Sequence, residues 1–522
     1  MRRRWTILAL GLGLLTSGMG VDSSAAPVRT AALPAPHEVR ADFNGDGHGD
    51  LVMMQNRAAR VAYGSASGLS PGRTAFLDVG VLTELPDPEL DHGGYGVTTA
   101  AGDFNGDGYT DLAVGVGQTD IGDQDNAGAV YVTSGSAQGL DPKTRKRWTQ
   151  NSAGVAGSAE YNDWFGGALA VGDFDHSGQA DLAIGVLYEK VSGYEEAGAV
   201  HVLPGSPDGL TAVGSRRWTA ASSGVPGSLR ETGFGTALGA GDFRASGFDD
   251  LVIGVPGATV SRRRDAGAVV VLRGGADGVT SIGAQRWTQD STGIRGAAER
   301  ADSLGGEGLA VGHFAGRAYA DLAIGVHAER LGRQSRAGAV HVLYGSADGL
   351  TAKGNQLWSE RSPGIAGKPR TDDLFGIDLA AANFGKDGAA RRYDDLAVGV
   401  PGGGRGGGGG VDLLYGSAAG LTARKSQVWN QDSPGVPGRP QDSDWFGRCL
   451  AASDFGAGPY ADIAVGIPDK YVGSGEVSDG AVGLLLGSSH GITGNRSAIW
   501  TNLTFDLVPS ETPELGFGLE AG

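Results

Sequence analysis

Oxygen-bearing side chains recur at alternate positions in three short stretches of this chain. The first offers Asp42, Asn44, Asp46 and Asp50, with the backbone carbonyl of His48 before the last. The second offers Asp103, Asn105, Asp107, the carbonyl of Tyr109, and Asp111. The third offers Asp173, Asp175, Ser177, the carbonyl of Gln179, and Asp181. Side-chain oxygens at positions 1, 3, 5 and 9 and a carbonyl at position 7 can wrap a hard cation. Ca²⁺ takes about six to eight oxygens at about 2.3–2.6 Å, and glycine at position 6 permits the sharp turn. That glycine is Gly47, Gly108 or Gly178. The pattern predicts about three bound Ca²⁺ ions. A solvated acidic turn is the competing reading, and it gains most in the third stretch, where Ser177 fills position 5.

Four further stretches keep the frame and lose ligands. Arg244 stands at position 3 between Asp242 and Asp250. In the next copy His313 and Ala315 replace early ligands and Arg317 takes position 5. The copy from Asn383 to Asp395 is lengthened and holds Lys386, and the last keeps Asp454 and Asp462 around Gly456 and Gly458. A guanidinium beside a remaining Asp can stand in for a cation. Loss of ligands from some copies points to a structural ion, not a reacting one.

These loops need a frame, and the frame repeats. The Asp-Phe pair and its variants begin at Asp42, Asp103, Asp173, Asp242, His313, Asn383 and Asp454, with spacings of 70, 69, 71, 70 and 71 residues from the second copy onward. Such a period marks a repeat architecture. One unit reads as four strands, around Ala168–Gly172, Leu182–Val186, Gly198–Leu203 and Arg217–Thr219. The acidic loop lies between the first two. The turn Gly-Ser after the third strand is followed by a glycine suited to positive φ, as in Gly139 after Gly135. A Trp closes most units: Trp148, Trp218, Trp287, Trp358, Trp429 and Trp500, with Phe76 in the first. Recurring once per unit, these read as packing between sheets. Small residues such as Ala170, Gly172, Gly239 and Gly241 suit first strands that converge on an axis. The fold class is therefore all-β, a seven-bladed β-propeller of repeats about 70 residues long.

The bulk numbers agree. The chain has 522 residues, and 40% hydrophobic content is too much for a disordered one. A net charge of −17 argues against a nucleic-acid partner, because phosphate binding needs clustered Lys and Arg. Residues 1–26 read as a secretory signal: Arg2 to Arg4, the apolar run Ile7 to Leu15, and Ser24-Ala25-Ala26 at the cleavage point. Residues 27–37 read as a linker and 38–522 as the propeller. No membrane span is expected in the mature chain, so the expectation is a secreted, extracellular monomer. The single cysteine, Cys449, leaves no disulfide and aligns with Ala168 and Ala237 as a small buried filler.

The residues resemble the FG-GAP repeat of the integrin α propeller. Phe165-Gly166, Phe234-Gly235, Phe375-Gly376, Phe446-Gly447 and Phe517-Gly518 match the first half; Gly254-Val255-Pro256, Gly399-Val400-Pro401 and Gly466-Ile467-Pro468 match the second. The resemblance implies calcium in the loops between first and second strands. It also implies a partner, protein or cell-surface glycan, on the opposite face, which carries the long inter-blade connections.

No zinc motif or phosphate loop occurs. His201 and His341 share one third-strand position, which suggests a structural role. A binding or adhesion scaffold is the expected function. The alternatives are a carbohydrate-binding propeller using Trp164 and Trp445, and a hydrolase or lyase using connection acids such as Asp163 or Asp444. Glu160, Asp163, Glu231, Glu299, Asp302, Asp372, Asp373, Asp442 and Asp444 otherwise read as a solvated acidic rim. The last residues, Leu515 to Gly522, match the half-unit missing before Asp42 and predict a latch. In that latch His37–Ala41 would form the inner strand, with the C-terminal residues displaced or alongside.

Overall fold

Short apolar runs bounded by turn glycines become antiparallel strands, and the second strands are buried on both faces. In the computed structural model, residues 41–55, 58–77, 97–386, 393–404, 407–456, 458–471, 480–505 and 515–520 are described. The chain divides into residues 1–32 and a compact unit, residues 33–522. The expected signal and linker lie outside the described residues.

The protein is an all-β propeller. Its described strands form seven four-stranded antiparallel sheets. Six use contiguous sequence. A typical one runs Leu238–Gly241, Asp250–Val255, Ala268–Arg273, Thr280–Trp287, in that spatial order. The seventh combines the two chain ends: Leu515–Glu520, then Leu51–Gln55, Ala58–Ala62 and Thr74–Leu77. Blades are numbered here by acidic loop, so that composite sheet is blade one.

The inner strands lie side by side in a cycle. Val97–Gly102 neighbours Phe165–Gly172, and the series passes through each blade to Leu515–Glu520, which returns to Val97–Gly102. Small residues are required there: a Cβ on Gly102 would sit 2.5 Å from Val171 Cγ1 of the next blade. A second cycle runs through the loops. The residue before position 9 donates its N–H to the position-1 carbonyl of the preceding blade, as in Thr110 to Asp42 (3.1 Å) and Ala180 to Asp103 (2.8 Å). Gly49 to Asp454, at 2.8 Å, joins the first blade to the last.

The core lies between blades. One apolar cluster joins Phe174, Val200, Val202 and Trp218 of blade three to Leu251, Ile253, Val255 and Leu272 of blade four. Another joins Leu51, Met53 and Ala62 of blade one to Phe455, Val482 and Trp500 of blade seven. The Trp series packs as expected. Each such side chain contributes about 1.5–3 kcal/mol on burial, and a lone four-stranded sheet would leave both faces wet.

The latch differs from expectation. The C-terminal Leu515–Glu520, not the N-terminal segment, forms the inner strand of blade one. It pairs Val52 with Glu520 and Met53 with Leu519. Ala41 supplies only the final step, accepting a hydrogen bond from the Asp50 N–H. The two ends thus divide one strand's length between them. Residues 38–40 lie outside the described residues.

Candidate cation-binding loops

Each loop hangs between two anchors. The Phe at position 2 is fully buried in Phe43, Phe104, Phe174, Phe243, Phe314 and Phe384. The Asp at position 9 opens the second strand and is also buried. Asp111 accepts the Phe104 N–H at 3.1 Å and the Gly135 N–H at 2.9 Å. Asp50, Asp181, Asp321 and Asp395 make the same pair of bonds to their own loop and turn. This explains the turn glycine. A Cβ on Gly135 would lie 2.3 Å from the Thr110 carbonyl, so a side chain there would push the turn off the carboxylate.

The position-1 Asp folds the rest of the loop over itself. Asp42 accepts from the N–H groups of Asp46 and Gly47, Asp103 from Gly106, Asp107 and Gly108, and Asp173 from Ser177 and Gly178. Asn44, Asn105 and Asp175 at position 3 accept from position 5. Position 5 then meets position 7: Asp46 and Asp107 accept from the N–H groups of His48 and Tyr109, and Ser177 from Gln179. In the third loop the carboxylates of Asp173, Asp175 and Asp181 offer oxygens within 4.8 Å of one another, the one such acidic trio among the described residues. The loop with Ser at position 5 is therefore the most gathered. All donors are hard oxygens, which suits Ca²⁺. Burial, chiefly, pushes Asp50, Asp111 and Asp181 up to about 7.

The fourth loop holds its own cation. The Arg244 guanidinium contacts both Asp250 oxygens, the nearest at 2.9 Å, and also donates to the Gly274 carbonyl. Asp242 still folds that loop, accepting from Gly247 at 2.6 Å.

The FG-GAP repeat family model matches residues 95–133 and 165–203. Integrin alpha-PS5 of Drosophila melanogaster is 35% identical over 165 residues, which is 31% of this chain and 15% of that protein. Integrin alpha-PS2 of the same fly is 32% identical over 254 residues, 47% of this chain and 16% of that one. The chain is an integrin-α-like FG-GAP propeller. Bovine phosphatidylinositol-glycan-specific phospholipase D also aligns, at 32% identity over 165 residues, 31% of this chain and 18% of its own. The propeller thus spans less than a fifth of the length of each of these relatives.

Five of the nine acids expected to form a solvated rim on this propeller's connections are buried instead. Asp163, Asp302, Asp373 and Asp444 are at most 2% exposed, and Glu231 is buried as well. Each of those four Asp stands two residues before the FG pair and accepts the N–H three residues upstream. They lie at the junctions between FG-GAP blades. There Gln150 donates to Glu189, and Gln289 to Glu329 at 2.7 Å. The Arg217 guanidinium meets Glu189, Arg286 meets Glu231 at 2.9 Å, and Lys470 meets Asp444 at 2.7 Å. The readable signal was recurrence of Asp at one register of a variable connection. Glu160, Glu299, Asp372 and Asp442 are exposed, as expected.

Cys449 lies on the approach to an inner strand, and burial pushes its thiol up to about 12, away from reactivity. His201 and His341 are 1% exposed, and burial lowers them to about 3 and about 4. Both stay neutral.

Proposed function

We propose that this propeller is a secreted, extracellular binding or adhesion scaffold, monomeric and rigidified by Ca²⁺ in its first three loops. The observation that carries this reading is the shared build of those loops: a buried Asp at position 9 and oxygen donors at positions 1, 3 and 5 over a self-folded turn. The integrin relatives support it. Calcium there ties each loop's exposed half to its buried half, so it stiffens one rim of the ring. The long connections meet the opposite end of each inner strand, and loops on a rigid scaffold commonly carry recognition. A protein or cell-surface glycan is the partner proposed for that face.

Calorimetry on the chelator-stripped protein should show about three Ca²⁺ ions, at about 10⁻⁴–10⁻³ M. Absence of calcium uptake would remove the reading. Charge reversal at Asp372 and Asp442 should weaken any partner recovered by pull-down. Asp163, Asp373 and Asp444 are unsuitable for that test because they are buried.

A glycan has one specific observation in its favour. Trp164 and Tyr188 meet edge to face, with ring centroids 5.3 Å apart. Tyr161 is 70% exposed and Tyr194 39%. Aromatic faces of this kind can stack against sugar rings. A glycan array that shows no binding, or binding untouched by Trp164→Ala, would exclude it.

A further inference from the structure

A tyrosine ring seals several junctions between blades on the side of the acidic loops. It stands one residue before the turn glycine that follows the third strand, as Tyr63, Tyr344 and Tyr415. Tyr344 and Tyr415 are 2% and 4% exposed. Each phenol oxygen lies against the turn of the next blade. A Cβ added to Gly139, Gly420 or Gly491 would strike the hydroxyl of Tyr63, Tyr344 or Tyr415. The oxygens of Tyr63 and Tyr344 accept the N–H of the residue after that glycine, Leu140 or Leu421, at 3.2 Å in both. Tyr344 also donates to Gln356 Oε1 at 2.7 Å, and Tyr415 donates to Gln427.

Blade two has Ser134 at this position, so the ring is missing. A Cβ on Gly209 of blade three would meet nothing nearer than Lys146 Nζ, at 3.8 Å. A cavity of about 180 Å³ opens there, between Val132, Ser134 and Trp148 of blade two and Gly209 and Leu210 of blade three. A cavity of about 150 Å³ is enough to hold benzene. Val132 and Leu210 are buried, while Lys146, Pro207 and Asp208 are exposed and form the mouth. The Leu210 N–H is the counterpart of the groups that Tyr63 and Tyr344 satisfy, and it has no acceptor among the described residues. The Trp148 indole N–H is sealed from solvent without a partner. The indoles of Trp218, Trp287 and Trp429 are unpartnered too, so it is the cavity that makes room for a ligand here. Lys146 takes the register of Gln356, two residues before the Trp, and donates to the Asp208 carbonyl at 2.6 Å. Elsewhere longer side chains cover for a missing Tyr. Gln285 accepts the Leu350 N–H at 3.0 Å, and Arg216 and Arg496 reach the carbonyls of Val279 and Ser67.

We propose that the cavity between blades two and three binds a small free phenol, whose ring takes the place that Tyr344 fills within the chain between blades five and six. The ligand oxygen accepts the Leu210 N–H. Lys146, a donor only, offers the same oxygen a second hydrogen bond where Gln356 would have accepted one. A tyrosine of another protein carries the same ring, but its backbone would have to pass the mouth between Lys146 and Asp208. The site is separate from the inter-blade connections, where the protein or glycan partner is proposed.

Calorimetry of the full chain in calcium tests this with 4-methylphenol, which is the tyrosine side chain alone. It should bind at a single site and raise the melting temperature. Toluene, the same shape without the oxygen, should bind about tenfold more weakly. N-acetyltyrosinamide should not bind. Ser134→Tyr should abolish binding of 4-methylphenol and raise the melting temperature of the ligand-free protein, because it supplies the ring from within at a register where three blades already carry Tyr. Should that variant fail to fold, Ser134→Leu is read by the same loss of binding, since Leu486 stands at this register in blade seven. No binding by the parent, equal binding of toluene, or undiminished binding by the folded variant would overturn the proposal. Equal binding of N-acetyltyrosinamide would overturn the free phenol in favour of a partner's tyrosine.

Discussion

Asp107 and Asp321 separate two roles within one loop. Asp107 at position 5 is an exposed donor whose own bond is to the Tyr109 N–H. Asp321 at position 9 bridges the Ala315 and Gly345 N–H groups in a loop that has lost its other ligands. Asp321→Ala should therefore destabilise the protein by about 3 kcal/mol, since a hydrogen bond to a charged group contributes about 1.5–3 kcal/mol. The loss should be equal in calcium and in chelator. Asp107→Ala should lower the melting temperature in calcium and much less in chelator. Thermal melts in both buffers distinguish the two. The fourth loop gives the converse experiment. Arg244→Asn restores position 3 beside Asp242, Ser246, the Phe248 carbonyl and Asp250, the donor set of the third loop but for Asn in place of Asp at position 3. It should add one bound Ca²⁺ by metal analysis; an unchanged count would show that Arg244 is not a cation's substitute.

At the scale of elements, blades meet through buried polar residues as well as apolar faces. Glu329, in the blade four–five junction, is raised to about 7, first by burial and then by the charge of Asp302, while Gln289 lowers it. A carboxyl raised in the folded state binds its proton more tightly there than in the unfolded chain. Its stabilising effect is complete below the ordinary glutamate range and is lost as pH rises to about 7. The parent should thus lose about 2–3 kcal/mol from this group between pH 4 and pH 8. Glu329→Gln should flatten that part of the stability profile, measured by denaturant melts across the range. Equal slopes in parent and variant would show that the junction does not hold this proton.

The whole molecule depends on its ends. Leu515–Glu520 pairs with Leu51–Gln55, and without it the inner edge of blade one would present unpaired backbone groups. Deleting residues 511–522 should lower the melting temperature and open blade one to protease, with first cuts mapped near residues 51–77. The closing bonds from Gly49 to Asp454 and from Arg496 to the Ser67 carbonyl would remain. The truncated protein should therefore fray at one blade instead of unfolding throughout. Full protease resistance would show that the C-terminal strand contributes nothing.

The sequence by itself determined the repeat, the strand order within a unit and the place of the acidic loops. These are local properties: short apolar runs, turn glycines and donors spaced along one short turn. It also determined that small residues line the inner strands, because Gly102, Gly172 and Gly241 recur at one register. Only the tertiary structure decided which chain end fills the inner strand of blade one, since Glu38–Ala41 and Leu519–Gly522 match the same positions equally well. Only it showed that Asp163, Asp302, Asp373 and Asp444 are buried. Along the chain they look like any acid in a surface connection. Their burial arises because residues of the next blade, such as Glu189, Glu329 and Lys470, fold back against them from about 26 residues away.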